Sequence, residues 1–388
     1  MNQENLISRS TLLRLLTEAC ELEQGLACSY LYAAMTLRQE PAGNKLPPDK
    51  MLQVRQWASQ VYFVASQEML HLAQAWNLLV ALGGTPYYLR PNFPQNTKYY
   101  PLHMRLALEP YGESSLSRFI EYERPEEKPR AGRDDSAFRT IGELYDIIEH
   151  GIEGLPGAII GDPASQVGRD LVDFPDIVKV VDVESARAAI HMITHQGEGT
   201  EADHEDCHFG IFVKLLKDLR HEKQQNPEFA PAYPAMINPA TDTSEEYGAR
   251  HATLIQEVFA RDVASLFDGL YSLMLRMLGY TFTPGGDPGL RRAFGQGAVI
   301  MMVTVIKPLG EALVQIPATK ELTAGPPFGL TRHVTLPADP RSTRTVVSER
   351  LTELTGKAVR LASSPAAPTA LGHAAETLCR LPQISKLN

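Results

Sequence analysis

The feature that most constrains this chain is a single carboxylate in a long apolar helix. From Gln56 to Gly84 the sequence is helical in pattern, and its only formally charged side chain is Glu68. Glu68 lies among Val61, Val64, Met69, Leu72 and Ala75, with His71 three residues on, on the same face. A lone charge in an apolar face is costly unless it is paired or binds a cation. Glu-x-x-His at that spacing is a ligand pair that carboxylate-bridged di-metal bundles place on their helices. A single pair of this kind is also what a buried Glu–His hydrogen bond looks like, so the weight falls on what the other helices offer.

The preceding segment, Leu12 to Leu37, repeats apolar residues at three- and four-residue steps and reads as a helix capped by Ser10 or Thr11. Glu18, Glu21 and Glu23 crowd one section, and no further charge appears until Arg38. Glu23 is the last acid before the apolar half and lies seven residues from Tyr30, so the two share a face. A third helix is expected over Thr140 to Gly151. In it Glu143 is either a ligand or an ordinary first-turn acid favoured by the helix dipole. A fourth region, Glu184 to His221, carries His191, His195, Glu198, Glu201, His204, Glu205 and His208, with a break expected near Gly197 and Gly199. Glu205 and His208, like Glu201 and His204, repeat the Glu-x-x-His spacing, so spacing alone does not choose among them. Four helices offering Glu, Glu-x-x-His, Glu, and Glu plus His make the ligand inventory of a ferritin-like di-iron or di-manganese site. Such hard carboxylates and imidazoles suit iron or manganese. They suit catalytic zinc less well, because six protein ligands leave little open coordination.

The rest of the 388 residues extends that bundle. The expected organisation is a bundle over 1–225, a linker over 226–243, a helical pair over 244–320, and an irregular region over 321–388 with one helix near Thr345 to Leu361. A Pro-rich excursion over 85–133, with a short helix near Ser114 to Glu121, interrupts the bundle and is expected to cover the mouth of the site. The pair over 244–320 carries wide apolar faces (Leu266, Leu270, Met274, Val299, Val303, Ile306) that pack on the bundle or form a dimer seam. The fold class expected is all-α, with no convincing strand pattern and no internal repeat.

A net charge of −9 argues against non-specific binding to nucleic acid or an anionic membrane. The apolar stretch Ala298 to Ile306 is too short for a membrane span. The N-terminal ten residues lack an apolar signal core. Cys20, Cys28, Cys207 and Cys379 form no C-x-x-C pair, which excludes a zinc ribbon and leaves reduced thiols in the cytoplasm as the expectation. There is neither a phosphate-binding G-x-x-x-x-G-K-[ST] loop nor a G-x-S-x-G elbow.

Several strings carry a family resemblance. Glu23 followed by Tyr30-Leu31-Tyr32-Ala33-Ala34, then Glu68-Met69-Leu70-His71-Leu72, Gly83-Gly84 and Arg90-Pro91-Asn92-Phe93-Pro94 are the first. Thr140 to Tyr145, Gln196-Gly197-Glu198-Gly199, His208-Phe209 with Phe212, and Ala324-Gly325-Pro326-Pro327-Phe328 complete the set. The chain resembles a bacterial ferritin-like family related to the ferritin-like portion of the iminophenyl-pyruvate dimer synthase of violacein biosynthesis and to chromopyrrolic acid synthase. Carried onto this sequence, the resemblance implies Glu23, Glu68, His71, Glu143, Glu198 and His208 as metal ligands and catalytic residues. It implies Glu198 rather than Glu205, through the Gln-Gly-Glu-Gly string. The implied cofactor is two iron ions, with manganese as the alternative. The implied activity is oxidation of a small amine, indole or amino-acid-derived molecule by dioxygen or peroxide in bacterial natural-product biosynthesis. The competing expectation is a non-catalytic metal-binding or structural partner of a biosynthetic complex, as a homodimer or bound to another pathway enzyme. Haem chemistry, which a Soret band would reveal, is a third.

Overall fold

The computed structural model describes residues 7–39, 46–95, 105–125, 138–172, 174–197, 205–242, 252–330 and 335–380. Helix α1 (Arg9–Thr36) starts at Ser8, whose hydroxyl accepts from the Thr11 N–H, two residues before the expected cap. Helix α2 (Pro48–Ala81) has Pro48 in its first turn and stops where Gly83 takes φ +87°, a conformation that favours glycine. Most of α1 is buried, because α2, α4 and α9 all pack on it. A helix enclosed on all sides must find partners for its polar residues. Ser29 bonds back to the Gly25 carbonyl (2.9 Å), and Gln24 donates to the Tyr271 hydroxyl (3.0 Å).

The third and fourth bundle positions are each built from two pieces. Helices α3 (Glu113–Tyr122) and α4 (Ile141–Gly154) form one, and α5 (Val183–Gly197) and α6 (His208–Gln225) form the other. Helix α3 packs on α6 and α4 packs on α5, while α1 contacts α4 and α2 contacts α5 and α6. The break expected near Gly197 is therefore real. The break between α3 and α4 is a second one, and the described helix of the Pro-rich excursion, α3, packs into the bundle against α6.

The stretch expected as a linker lies against the bundle. Two backbone bonds tie it to the end of α1, Arg38 N–H to Pro231 O (2.8 Å) and Tyr233 N–H to Thr36 O (2.8 Å). It also supplies β1 (Pro239–Ala240), which pairs in parallel with β2 (Thr253–Leu254). Helices α7 (Val258–Tyr280), α8 (Pro288–Met301) and α9 (Lys307–Leu313) follow, with a π-helical turn (Met302–Ile306) joining the last two. Leu266, Leu270, Leu273, Met274 and Met277 are buried in this half, whereas Ile300 and Val303 face solvent. Helices α10 (Pro340–Ala362) and α11 (Thr369–Arg380) close the C-terminal half on α7 and α9. Helix α11 was not expected from the sequence. Its Leu371, Ala374, Ala375 and Leu378 form the buried stripe.

The run Pro288–Leu313 is long and apolar enough to cross a membrane by length and composition, with a mean hydropathy of 1.4 over its best window. The apolar stretch read from the sequence, Ala298 to Ile306, is the middle of this run, and the π turn joins α8 to α9 within it. Of that window 56% is buried inside the fold, and Arg291 near its start bonds the carbonyls of Thr281 (2.5 Å) and Ala164 (2.6 Å), as in a core helix.

Two of the sequence motifs meet. Arg90 donates to the Phe328 carbonyl (2.7 Å), and Asn92 pairs with both backbone groups of Leu330 (2.8 and 3.2 Å). Gly325 sits against the Tyr32 ring, where a Cβ would overlap the hydroxyl that bonds the Met236 carbonyl. The string after α2 thus clasps the string after α9.

Candidate metal centre

The two breaks open onto the same place. Glu23 of α1 and Glu68 and His71 of α2 meet Glu123, the residue that ends α3, and His208, the first residue of α6. All five are buried. Among the described residues they form two groups whose donor atoms converge within 4.8 Å: Glu23, Glu68 and His71, and Glu68, Glu123 and His208. Glu68 belongs to both. Its Oε2 lies 3.6 Å from His71 Nδ1, and its Oε1 lies 2.7 Å from His208 Nδ1. Glu23 Oε2 and Glu123 Oε1 close the two ends, each 3.6 Å from the nearer histidine Nδ1.

The short Glu68–His208 approach is not a hydrogen bond. Its geometry misaligns the ring N–H, and His208 Nδ1 and Glu68 Oε2 are both buried without a hydrogen-bond partner. Orphaned buried polar atoms of this kind carry a desolvation cost that a cation would remove. The histidines are oriented from outside the cluster. His71 Nε2 bonds Gln196 Oε1 (3.0 Å), and His208 Nε2 bonds Gln67 Oε1 (3.1 Å). An amide oxygen on Nε2 makes that nitrogen the donor and leaves Nδ1 as the atom that faces the carboxylates, ready for a cation once its proton has left. Tyr145 donates to Glu23 Oε1 (2.6 Å), and Tyr30 donates to Glu123 Oε1. Burial first, and then these carboxylates, push both phenols well above their ordinary range, so they stay protonated donors.

The cluster is electrostatically frustrated without a cation. Burial, reinforced by the Glu68 charge, pushes Glu23 up to about 8. Burial opposes the charge on Glu68 too, but His208 and His71 outweigh it and hold that carboxyl well below its ordinary range. Burial also disfavours the imidazolium forms. Glu68 and Glu23 nevertheless raise His71 well above its usual value, and Glu123 and Glu68 raise His208 to about 9.

Glu143 stands outside both groups. It accepts from the Arg139 backbone N–H (2.9 Å), while its own N–H is capped by the Thr140 hydroxyl (3.1 Å). Its carboxylate therefore folds back over the start of α4, the first-turn role that the sequence left open. Glu198, Glu201 and His204 lie outside the described residues. Glu205 is exposed, and the exposed His191 pairs with Glu149 (3.3 Å). Glu123 was missed by sequence reasoning, because Glu121-Tyr122-Glu123-Arg124 looks like a solvated charge run. Its one signal is the buried pair Phe119 and Tyr122 just before it, which turns that face inward. Tyr122, Ile141, Gly142, Ile193, Thr194 and Gly197 line a narrow cleft that reaches the cluster at the two breaks.

The family described as Ferritin-like matches residues 16–217, which takes in all five residues of the cluster. The chain belongs to the ferritin-like family. A ferritin-like protein from Caulobacter vibrioides has the same fold, at a TM-score of 0.50 and 20% identity over 74% of this chain and 93% of that one. Among curated proteins, this ferritin-like chain is 29% identical to dichlorochromopyrrolate synthase of Lentzea aerocolonigenes over 371 aligned residues. It is 28% identical to 2-imino-3-(indol-3-yl)propanoate dimerase of Chromobacterium violaceum over 348. Each alignment covers 83% of this chain, but only 36% and 34% of the respective relative. The chain thus spans about a third of the length of the curated relatives it matches.

Proposed function

We propose that this chain is a non-haem di-metal oxidoreductase, holding two iron or manganese ions with Glu23, Glu68, His71, Glu123 and His208. The observation that carries the reading is Glu68, whose two oxygens each address a different histidine at the centre of two donor groups. Glu123 enters the set in place of Glu143, which the resemblance implied as a ligand that could share the bridging role with Glu68. Glu198, which follows the cleft residue Gly197, is proposed as a sixth ligand beside these five on its sequence string. When bound, such an ion pair supplies redox equivalents for oxidation by dioxygen or peroxide. The chain's own residues set the site for it. Gln67 and Gln196 fix the imidazoles, Tyr30 and Tyr145 hold the terminal carboxylates, and the apolar surroundings limit water. Cation binding releases the protons that the histidines and Glu23 hold in its absence.

The substrate proposed is a small amine, indole or amino-acid-derived molecule of a biosynthetic pathway, reaching the cluster through the cleft at Gly142 and Gly197. The names of the two curated relatives support that class. Elemental analysis of protein purified without chelator, with an absorption spectrum, tests the reading. About two ions per chain are expected, without a Soret band. Full occupancy in both Glu68→Ala and His71→Ala would overturn the ligand assignment. The share of the relatives that the chain spans favours a second reading, a metal-binding partner of a larger biosynthetic complex. Turnover by the isolated chain separates the two.

A further inference from the structure

The same helix pair that bears the carboxylates walls a second, unrelated space. A cavity of about 400 Å³ lies between α2 and the π turn, floored by α1 and α7. Gln24, Ala27 and Cys28 line it from α1 and Met69, Leu72 and Ala73 from α2, on faces turned away from Glu23, Glu68 and His71. Its volume falls in the range of small-molecule sites, roughly 300–1,000 Å³. An apolar cavity of about 150 Å³ takes one benzene ring, so this one takes two or three fused rings.

The lining fixes the chemistry. Trp76, Phe282, Phe174 and Tyr62 supply flat aromatic walls, and Met274 and Met302 supply adaptable ones. Among the described residues the one charged lining side chain is Lys307, which is paired with Glu311 (2.7 Å) and lies over the Tyr62 ring, so none of them offers a free cation to a carboxylate ligand. At the floor the Gln24 amide is buried. One end donates to Tyr271, while Oε1 has no partner. Tyr271 is itself engaged with Cys28 (3.1 Å) and does not satisfy it. That oxygen shows almost no surface to water, so a guest in the cavity meets it through a turn of the Gln24 side chain. The mouth lies between the exposed Ser66 and Val303, the latter on the π turn, a helical irregularity that recurs at functional sites.

We propose that this cavity binds an uncharged molecule of two or three fused rings carrying one hydrogen-bonding group, which meets the free end of the Gln24 amide. The site stands apart from the carboxylate cluster, and its test needs neither metal nor turnover.

Calorimetric titration of the full chain with 1-naphthol tests it, with 1-methylnaphthalene as the partner lacking the hydroxyl. Trp76 fluorescence is a second readout in a Trp57→Phe background, where it is the chain's remaining tryptophan. The expected result is one saturable naphthol site per chain, with 1-methylnaphthalene about tenfold weaker, the size of one net hydrogen bond. Gln24→Leu should weaken naphthol about tenfold and leave 1-methylnaphthalene unchanged. Ala73→Trp, filling the wall, should abolish both. Absence of saturable binding, undiminished naphthol affinity in both variants, or binding of 1-naphthoate or dodecanoate as tight as that of naphthol would each overturn the proposal. Gln24→Leu keeps the test decisive if Ala73→Trp fails to fold.

Discussion

Replacing Glu123 by Gln separates the structure's ligand set from the one read in the sequence. Glu123 belongs to the group with Glu68 and His208 and not to the group with Glu23 and His71. Glu123→Gln should therefore lower the metal content after anaerobic ferrous reconstitution from about two ions per chain to about one. The amide still accepts from Tyr30, so no buried hydroxyl is orphaned, and Tm of the metal-free protein should change little. Glu123→Ala should lose the same ion and in addition leave the Tyr30 hydroxyl unpaired, costing about 1–3 kcal/mol. Glu143→Gln serves as the contrast. Its carboxylate caps α4, so it should cost about 1 kcal/mol of stability and keep both ions. Elemental analysis with parallel thermal melts reads all three. If Glu143→Gln lost an ion while Glu123→Gln kept two, the assignment of the second group would be wrong.

Three further outcomes follow from the geometry. The metal-free protein should lose stability as pH rises from about 5 to 9. Glu23 is raised from 4.5 to about 8 and His208 from 6.5 to about 9, so each binds its proton more tightly when folded. Each contributes fully below its unfolded value and nothing above its folded one, and the metal-loaded protein should lack this slope in a pH series of melts. Gln67→Leu and Gln196→Leu, which free the Nε2 of one histidine each, should weaken metal binding about 10–100-fold in chelator competition while leaving the fold intact. Gly325→Ala should lower Tm by pressing on Tyr32 and its bond to Met236, an overpacking cost of about 1–3 kcal/mol. An unchanged melt would show that the clasp yields.

The sequence made Glu68 and His71 conspicuous because their surroundings were apolar over nearly thirty positions, and burial there left few alternatives. Glu23 was legible for the same reason, although Tyr30, its neighbour on the helix face, bonds Glu123, and Tyr145 takes Glu23. His208 was one of several histidines in its region; spacing did not choose it, whereas the His208-Phe209 string of the resemblance did, and α6 starts at that residue. Glu123 was hidden because its neighbours Glu121 and Arg124 are polar and because the prolines around it read as loop. Burial of that segment depends on α6, almost a hundred residues away in the chain, and no local pattern carries it. Gln67 and Gln196 were equally silent, since an amide that orients an imidazole leaves no charge signature. Helix α11 was overlooked because Pro365 and Pro368 punctuate its approach, and its stripe is short.

The interruptions in the third and fourth bundle positions explain why so many ionisable groups fit in one buried place. In an unbroken helix, side chains sharing a face recur only every three or four residues, so each helix offers few donors at a given level. Ending α3 at Glu123 and starting α6 at His208 brings two donors in at helix ends, where the backbone can turn toward the cluster. The same breaks leave α4 and α5 as separate pieces, whose ends, at Gly142 and Gly197, form the cleft. Neither of those glycines carries a side chain that would close the approach. The arrangement thus exchanges helix continuity for donor density and access at one level of the bundle. The continuous α1 and α2, buried on several faces, supply the rigidity that the broken half lacks, and their remaining faces are left to build the apolar cavity.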